Sequence, residues 1–367
     1  MRNKKIHQSG PLSITKLDQL SPEFLAQIQR TILGQIGQLR YRLVDAETKA
    51  NHIKNASFIE LKLRDKLIGT VALVSQKVTV NQAKSDYLYV RYFSIHGLLR
   101  SRLGQPFYST QKKSSIIRRM LKETFSSMED IRPDEQSYKG IYAYIADTNA
   151  PSIKNALNMG FQRVGSFETL LISRINPRPK VIVEQLTQDE FLPLMSTRLQ
   201  SQYDLHDFVP DWSTFFETRP AVKYIVTKSA GEIICGAAIS LAKWEIKEYP
   251  GFTGWLTRNL LSRVPYLKRI FFDNELHFLT VEATYHRNED TETLLDLIES
   301  ALHQNDLHHA MCWFDVKDER LKQLKNTKKL GLLHRLRKPA SAGFFIKKYD
   351  HAPENCQCLY ISAEGIS

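Results

Sequence analysis

Two stretches of this chain combine residue types able to meet phosphate. In YSTQKKSSIIRRML (108–121), Lys112, Lys113, Ser114 and Ser115 stand near the start of a helix-like run, and Arg118 and Arg119 follow one turn later. A helix start offers unpaired N–H groups and the positive end of the dipole, which suit phosphate oxygens. The same residues also read as an N-cap leading into a solvated basic face. Further on, Asn149 and Ser152 open a short helix that Asn149 can cap by accepting from an exposed N–H, and Gly160 can end it in a left-handed turn. Glu282 is a carboxylate on a strand, a general base if an amine reaches it and otherwise a solvent-facing side chain. Cys356 and Cys358, with His351 nearby, lack a second ligand pair, and His308 and His309 alternate faces, so no metal site is expected. Phosphate-binding P-loops, dinucleotide GxGxxG and nucleophile-elbow motifs are absent. The nine Lys or Arg within 317–338 read as a solvated helix face.

The elements that must position these residues occur twice, at a spacing near 167. SITKLDQLSPEFL matches VIVEQLTQDEFL, with Leu20 over Leu186 and Phe24 over Phe191; Ser21 and Thr187 are N-cap candidates. FIELKLRDKLIGTVALVS matches YIVTKSAGEIICGAAISL, two hairpins with Gly69 over Gly236. DYLYVRYFSI, GIYAYIADT and NMGFQRV match ELHFLTVEATY, HHAMCWFDV and KLGLLHRL in the same order, the last placing Gly160 over Gly331. The expected units are residues 1–178 and 179–367, divided near INPRPK, each a mixed α/β sheet covered by helices. Helices are expected at 21–53, 111–127, 150–159, about 188–203, 290–304 and 318–330. Loop insertions at 96–110 and 243–274 distinguish the units, the second reading as a flap over substrate, a membrane or partner contact, or an ordinary surface excursion. Two separate superposable sheets are expected.

The segment YAYIADTNAPSIKNALNMGFQRVGSF resembles the later part of the GNAT superfamily of acyl-CoA N-acyltransferases: Asn149, Ser152, then Gly160 and Phe161 at the family's spacing. The resemblance implies tandem GNAT-like domains with acetyl-CoA or another acyl-CoA as co-substrate in the first. Its pyrophosphate would lie near Lys112, Lys113, Ser114 and Ser115, with Arg118 and Arg119 toward the adenosine phosphate, although the family's glycines are missing from this loop. It also implies direct attack by a small-molecule or peptide amine, with strand N–H groups stabilising the oxyanion. The tyrosine that many members carry seven residues after the Asn, to protonate the thiolate, is Ala156 here; Tyr92, Tyr108 and Tyr144 are the alternative donors. In the second unit Arg320 takes the Asn position and HRNEDT precedes the central helix, acidic where phosphates would bind, so that unit is expected to shape the acceptor site or the architecture.

Composition sets the outer limits. With 42% hydrophobic residues, a mostly disordered chain is excluded. The opening MRNKKIHQSG lacks an apolar core and no run suggests a membrane span, and four cysteines fit a reducing cytoplasm. Residues 1–180 hold 29 Lys+Arg against 14 Asp+Glu, and the remainder 22 against 25, so the first half should attract a polyanion. Nucleic acid is admitted by that charge, as for aminoacyl-transferring relatives that use charged tRNA. It is not favoured, because the first half lacks interleaved aromatic and basic residues. The reading is an N-acyltransferase, most simply an acetyltransferase; the rival is a catalytically silent GNAT-like binding module.

Overall fold

The structure is a computed structural model that describes residues 3–35, 37–80, 82–95, 108–216, 222–249, 251, 254, 263–271, 274–336, 339–349 and 358–363. The side chains of 108–115 and Glu289 lie outside the described residues. The first half runs β1 (Asn3–Ser9), β2 (Leu12–Leu17), α1 (Pro22–Arg30), β3 (Arg40–Leu43), α2 (Ala46–Asn51), β4 (Ala56–Leu63), β5 (Lys66–Val80), β6 (Ala83–Ile95), α3 (Tyr108–Thr124), α4 (Met128–Ile131), β7 (Tyr138–Ala146), α5 (Ala150–Asn158) and β8 (Gln162–Ser173). The second runs β9 (Glu184–Leu186), α6 (Gln188–Gln202), β10 (Phe208–Pro210), α7 (Trp212–Phe215), β11 (Lys223–Ser229), β12 (Glu232–Glu248), β13 (Glu275–His286), α8 (Thr291–Gln304), β14 (His309–Asp315), α9 (Glu319–Asn326), α10 (Leu332–Leu336) and β15 (Ser341–Lys348).

The strands form one sheet, in the order β1-β2-β4-β5-β6-β7-β15-β8-β14-β13-β12-β11-β9. From β2 to β9 the order is symmetric about the β15–β8 pair, so the repeat survives as matching strand order. The expectation of two separate sheets fails, because the halves exchange their last strands. β15 pairs with β7 of the first half, β8 pairs with β14 of the second, and β8 and β15 pair with each other. Pairing these two inner strands leaves neither as an open edge. A second exchange repeats the symmetry: β3 of the first half pairs with the far end of β12, and β10 of the second with the far end of β5.

That second exchange explains two departures from the sequence reading. The stretch 21–53 is not one helix. It closes at Arg30, and residues 40–43 extend as a strand because Tyr41 stacks on Trp244, ring centroids 4.0 Å apart and planes 16° from parallel. Tertiary pairing overrides local helical tendency here. Residues 243–248 are not a flap but the continuation of β12, with Trp244 and Ile246 buried in the core between the halves. Ile270 and Phe271, at the other end of that segment, pack on Leu333. Most of the intervening residues, and residues 96–107, lie outside the described ones.

Helices cover both faces of the sheet. α3 and α5 pack on one face of the first half through Met120, Ala156 and Met159, and α8 and α9 on one face of the second through Leu294, Ile298 and Leu321. Between the halves lies an aromatic core that includes Tyr87, Tyr89, Tyr142, Phe167, Phe208, Trp313 and Phe344. No described helix is long and apolar enough to cross a membrane.

Candidate active site

Among the described strands each half has one parallel pair, and each pair parts. In the first half β6 and β7 pair from Asp86–Tyr138 to Tyr89–Tyr142 and no further, although β6 continues to Ile95 and β7 to Ala146. The strands therefore open a V toward their carboxyl ends, the side on which parallel α/β units bind ligands. α3 follows β6 and α5 follows β7, so the strand on each arm of the V leads on to a helix. On β6 the register against β5 slips between Thr70 and Ala72, where Tyr92 bulges out with φ +53°. A bulge releases backbone groups from the ladder and re-aims them. At the apex of the V, Tyr89 and Tyr142 stack with centroids 4.9 Å apart, and Tyr142 stacks on Phe344 at 5.3 Å.

The expected site residues gather here in part. Asn149 caps α5 by accepting from the Ser152 N–H at 3.3 Å, and Gly160 ends the helix region with φ +88°. Ala156 faces the core at 4% exposure, so α5 presents no proton donor at that position. Tyr144, on the β7 arm of the V, turns toward the core between the halves, with its ring 5.4 Å from Tyr89 and 5.2 Å from Phe167. Tyr92 is the bulge residue itself, its ring 4.9 Å from the Arg91 guanidinium carbon. α3 begins at Tyr108, so its four unpaired N–H groups belong to residues 108–111. Lys112, Lys113, Ser114 and Ser115 fall in the second turn, not at the first N–H groups as expected. Their side chains, and that of Tyr108, lie outside the described residues. Arg118 and Arg119 are exposed, Arg119 lying 3.8 Å from Glu123.

The second half repeats this framework and fills it. β13 and β14 pair only at Leu279–Ala310 and Thr280–Met311, then part, and the register of β13 slips between Gly236 and Ala238, with Ala283 at φ +48°. Ala283 is thus the counterpart of Tyr92, and Glu282 that of Arg91. The V is occupied by residues 358–363 of the chain itself. The Tyr360 hydroxyl accepts from the Ala283 N–H at 3.1 Å, and Glu282 accepts from the Ala363 N–H at 3.1 Å. The remaining cavity, lined by Tyr203, Glu282, Asp318, Arg320 and Tyr360 among others, leaves about 10 Å³ for a water's centre, room for one molecule at most. Glu282 is therefore not the solvent-facing carboxylate expected, being 7% exposed.

Both helix starts at this second V are capped by carboxylates. Asp290 accepts from Glu292 and Thr293 N–H, and Asp318 from Arg320 N–H. The residue equivalent to Asn149 is thus Asp318 and not Arg320. Arg320 instead binds that carboxylate, while the His206 ring nitrogen sits 3.3 Å from each. His206, Asp318 and Cys358 bring potential metal-ligand atoms within 4.8 Å of one another. The Arg320 guanidinium already supplies a positive charge at the same carboxylate, and burial, followed by Asp318 and Asp315, pushes the Cys358 thiol up to about 12. This is a poor setting for a divalent cation, which needs a thiolate and no competing cation. Sequence reasoning missed His206, Asp318, Tyr360 and the two bulges. The apolar LYISA run (359–363) in an otherwise polar tail was the available signal for a buried segment.

The two-fold arrangement of opened parallel pairs is the mixed α/β architecture expected, and the fold is that of solved acyl-CoA N-acyltransferases. Saccharomyces cerevisiae N-myristoyltransferase with bound myristoyl-CoA is similar over 95% of this chain and 86% of its own, with TM-score 0.58 and 10% identity. A second structure of the yeast enzyme with myristoyl-CoA matches over 95% and 82%, with TM-score 0.57 and 9% identity. A GCN5-related N-acetyltransferase from Kribbella flavida matches over 94% and 73%, with TM-score 0.46 and 9% identity. The sequence matches no protein-family model and no curated protein.

Proposed function

We propose that this chain is an N-acyltransferase that binds acyl-CoA in its first half, residues 1–178, and transfers the acyl group directly to an amine. The carrying observation is the contrast between the two Vs. The first joins a bulge at Tyr92, helix starts at α3 and Asn149, and the more basic half of the chain. The second is plugged by the chain and capped by Asp290 and Asp318. Backbone donors near Tyr92 bind the thioester oxygen as negative charge develops on it, while Lys112, Lys113 and Arg118 supply charge for the CoA phosphates. The amine attacks from the side between the halves; the C–N bond forms, the C–S bond breaks, and Tyr144 protonates the departing sulfur. The stacked Tyr89, Tyr142 and Phe344 close the apex of the V, which favours a short acyl group such as acetyl. The acceptor is a small-molecule or peptide amine, and the free cysteines at 235 and 312 suit a reducing cytoplasm.

Buried Ala156 favours the rival reading, a catalytically silent binding or regulatory module. Calorimetric titration with acetyl-CoA and longer acyl-CoAs tests the donor site, and thiol release with an amine panel separates enzyme from module. Absence of binding at millimolar concentration rejects the donor site and leaves the silent module as the reading.

A further inference from the structure

The segment that fills the second V also reaches the first. It enters beside β10, where the Asp207 N–H donates to the Cys358 carbonyl and the Tyr360 N–H to the Phe208 carbonyl, each at 2.9 Å. Tyr360 is then held inside a ring of aromatics, 5.1 Å from both Tyr203 and Trp212, with its hydroxyl on the bulge N–H of Ala283. Glu282 secures the next turn of the path through Ala363. Between these two anchors, the Ser362 N–H donates to the Tyr144 hydroxyl at 3.4 Å. Leu359, Tyr360, Ile361 and Ala363 are all at most 6% exposed. The segment is therefore fixed in the second half and touches the first at the phenol on the arm of its V.

We propose that Tyr360 and Glu282 are positioning residues for the first half: the second cleft serves as a receptor for segment 358–363 and through Ser362 sets the orientation of the Tyr144 phenol. This rests on the reading that the first V holds the thioester. A hydroxyl that accepts from a backbone N–H spends a lone pair on that bond, so its own hydrogen must point away from the segment. In the reaction the amine lone pair forms the C–N bond and the C–S electron pair leaves on sulfur, which takes the phenol proton. The proton lost by nitrogen passes to water, and water restores the phenol. Positioned proton transfer of this kind contributes roughly 10²–10⁴-fold, and the positioning bonds govern part of that factor. The second cleft thus has a task although the chain itself fills it.

The test uses the full chain, acetyl-CoA as probe and thiol release at saturating probe, with water or a generic amine as acceptor. Tyr144→Phe, Tyr360→Phe and Glu282→Leu should each slow release by about tenfold or more, with the acetyl-CoA Kd unchanged within about twofold. Glu282→Gln, whose amide oxygen still accepts from the Ala363 N–H, should recover most of the rate lost in Glu282→Leu. The alkaline limb of the rate profile, set by phenol ionisation, should vanish in Tyr144→Phe and move in Tyr360→Phe. If Glu282→Leu unfolds, Tyr360→Phe retains the ring and decides the matter alone, by its rate and its alkaline limb. Parent-like rates and profile in Tyr360→Phe overturn the proposal, as does a parent-like Tyr144→Phe. No binding of acetyl-CoA by the parent overturns the donor-site reading, and the positioning proposal with it.

Discussion

Arg320 grips Asp318 inside the second half, donating from Nε to Oδ1 at 2.9 Å and from Nη2 to Oδ2 at 2.5 Å, with the guanidinium carbon 4.2 Å from the Tyr203 ring centre. Both side chains are about 95% buried. Burial raises the Asp318 carboxyl, but hydrogen bonds and charge from His206 and Arg320 outweigh it and hold it well below the usual carboxylate range. The pair occupies the point where the first half has neutral Asn149, and it helps close the second V.

A pH dependence follows from that pair. A carboxyl whose folded pKa is depressed adds stability that is fully present above the unfolded value, about 3.9. That stability is lost as pH falls below that value toward the folded one. Asp318→Asn strands a buried guanidinium and should cost about 3–5 kcal/mol at neutral pH. Chemical denaturation at pH 7 and near pH 3 should show the variant losing less than the parent between the two conditions. Equal losses would mean that the pair contributes nothing to acid sensitivity.

Gly331 ends α9 and the turn after it with φ +99°, and an added Cβ would lie inside contact distance of the Ser173 carbonyl oxygen on β8. Gly231, in the β11–β12 turn, has φ +81° and open space around the same direction. Gly231→Ala should therefore cost only left-handed strain, about 1–2 kcal/mol. Gly331→Ala should cost more, because the backbone of the exchanged strand must also move. Midpoints of urea denaturation for the two variants measure the difference, which should favour Gly231→Ala.

These two residues mark what the sequence made legible. Gly160 and Gly331, the Asn149 cap and the paired hairpins are local signals, set by backbone conformation within a few residues, and they carried the repeat and the first-half fold. The exchange of β8 and β15 between the halves and the meeting of Tyr41 with Trp244 depend on partners about 140 to 210 residues apart. No periodicity encodes such partners, since an apolar strand fits either neighbour. Glu282 was misread for the same reason: its burial comes from Ala363, which a local pattern cannot supply. The bulges at Tyr92 and Ala283 escaped because neither residue is a glycine, the usual sign of a positive φ.

Placing a tyrosine at position 156 should not speed catalysis. Ala156 packs among Met120, Phe125, Ile141, Phe161 and Phe345 in the core beneath α5, and the Phe161 N–H donates to its carbonyl at 3.0 Å. A phenol there must displace close-packed side chains, an overpacking that typically costs about 1–3 kcal/mol. Ala156→Tyr should lower the thermal midpoint and leave thiol release from acetyl-CoA no faster than in the parent. A rate gain would show instead that the helix can rotate its side chain toward the V, and would return the proton donor to α5.

If CoA lies in the first half, as proposed, charge at the two helix starts should matter differently. CoA carries a pyrophosphate and a further phosphate, so its site needs positive potential and free backbone donors together. α3 offers Lys112 and Lys113 one turn after its unpaired N–H groups, whereas α8 opens with Asp290, whose carboxylate already binds the first-turn N–H groups of Glu292 and Thr293. Lys112→Glu with Lys113→Glu replaces two attractions by two repulsions. At up to about 1 kcal/mol per exposed charge contact, this should weaken CoA binding roughly tenfold or more. Glu289→Gln with Asp290→Asn should leave the affinity within about twofold, since the proposed site keeps the phosphates away from that helix and Asn still caps it. Titration with CoA at low and moderate salt reads both pairs, and the loss in the lysine double variant should shrink as salt rises. Unchanged affinity in that variant would move the phosphates away from α3, and tighter binding in the acidic-pair variant would move them to α8.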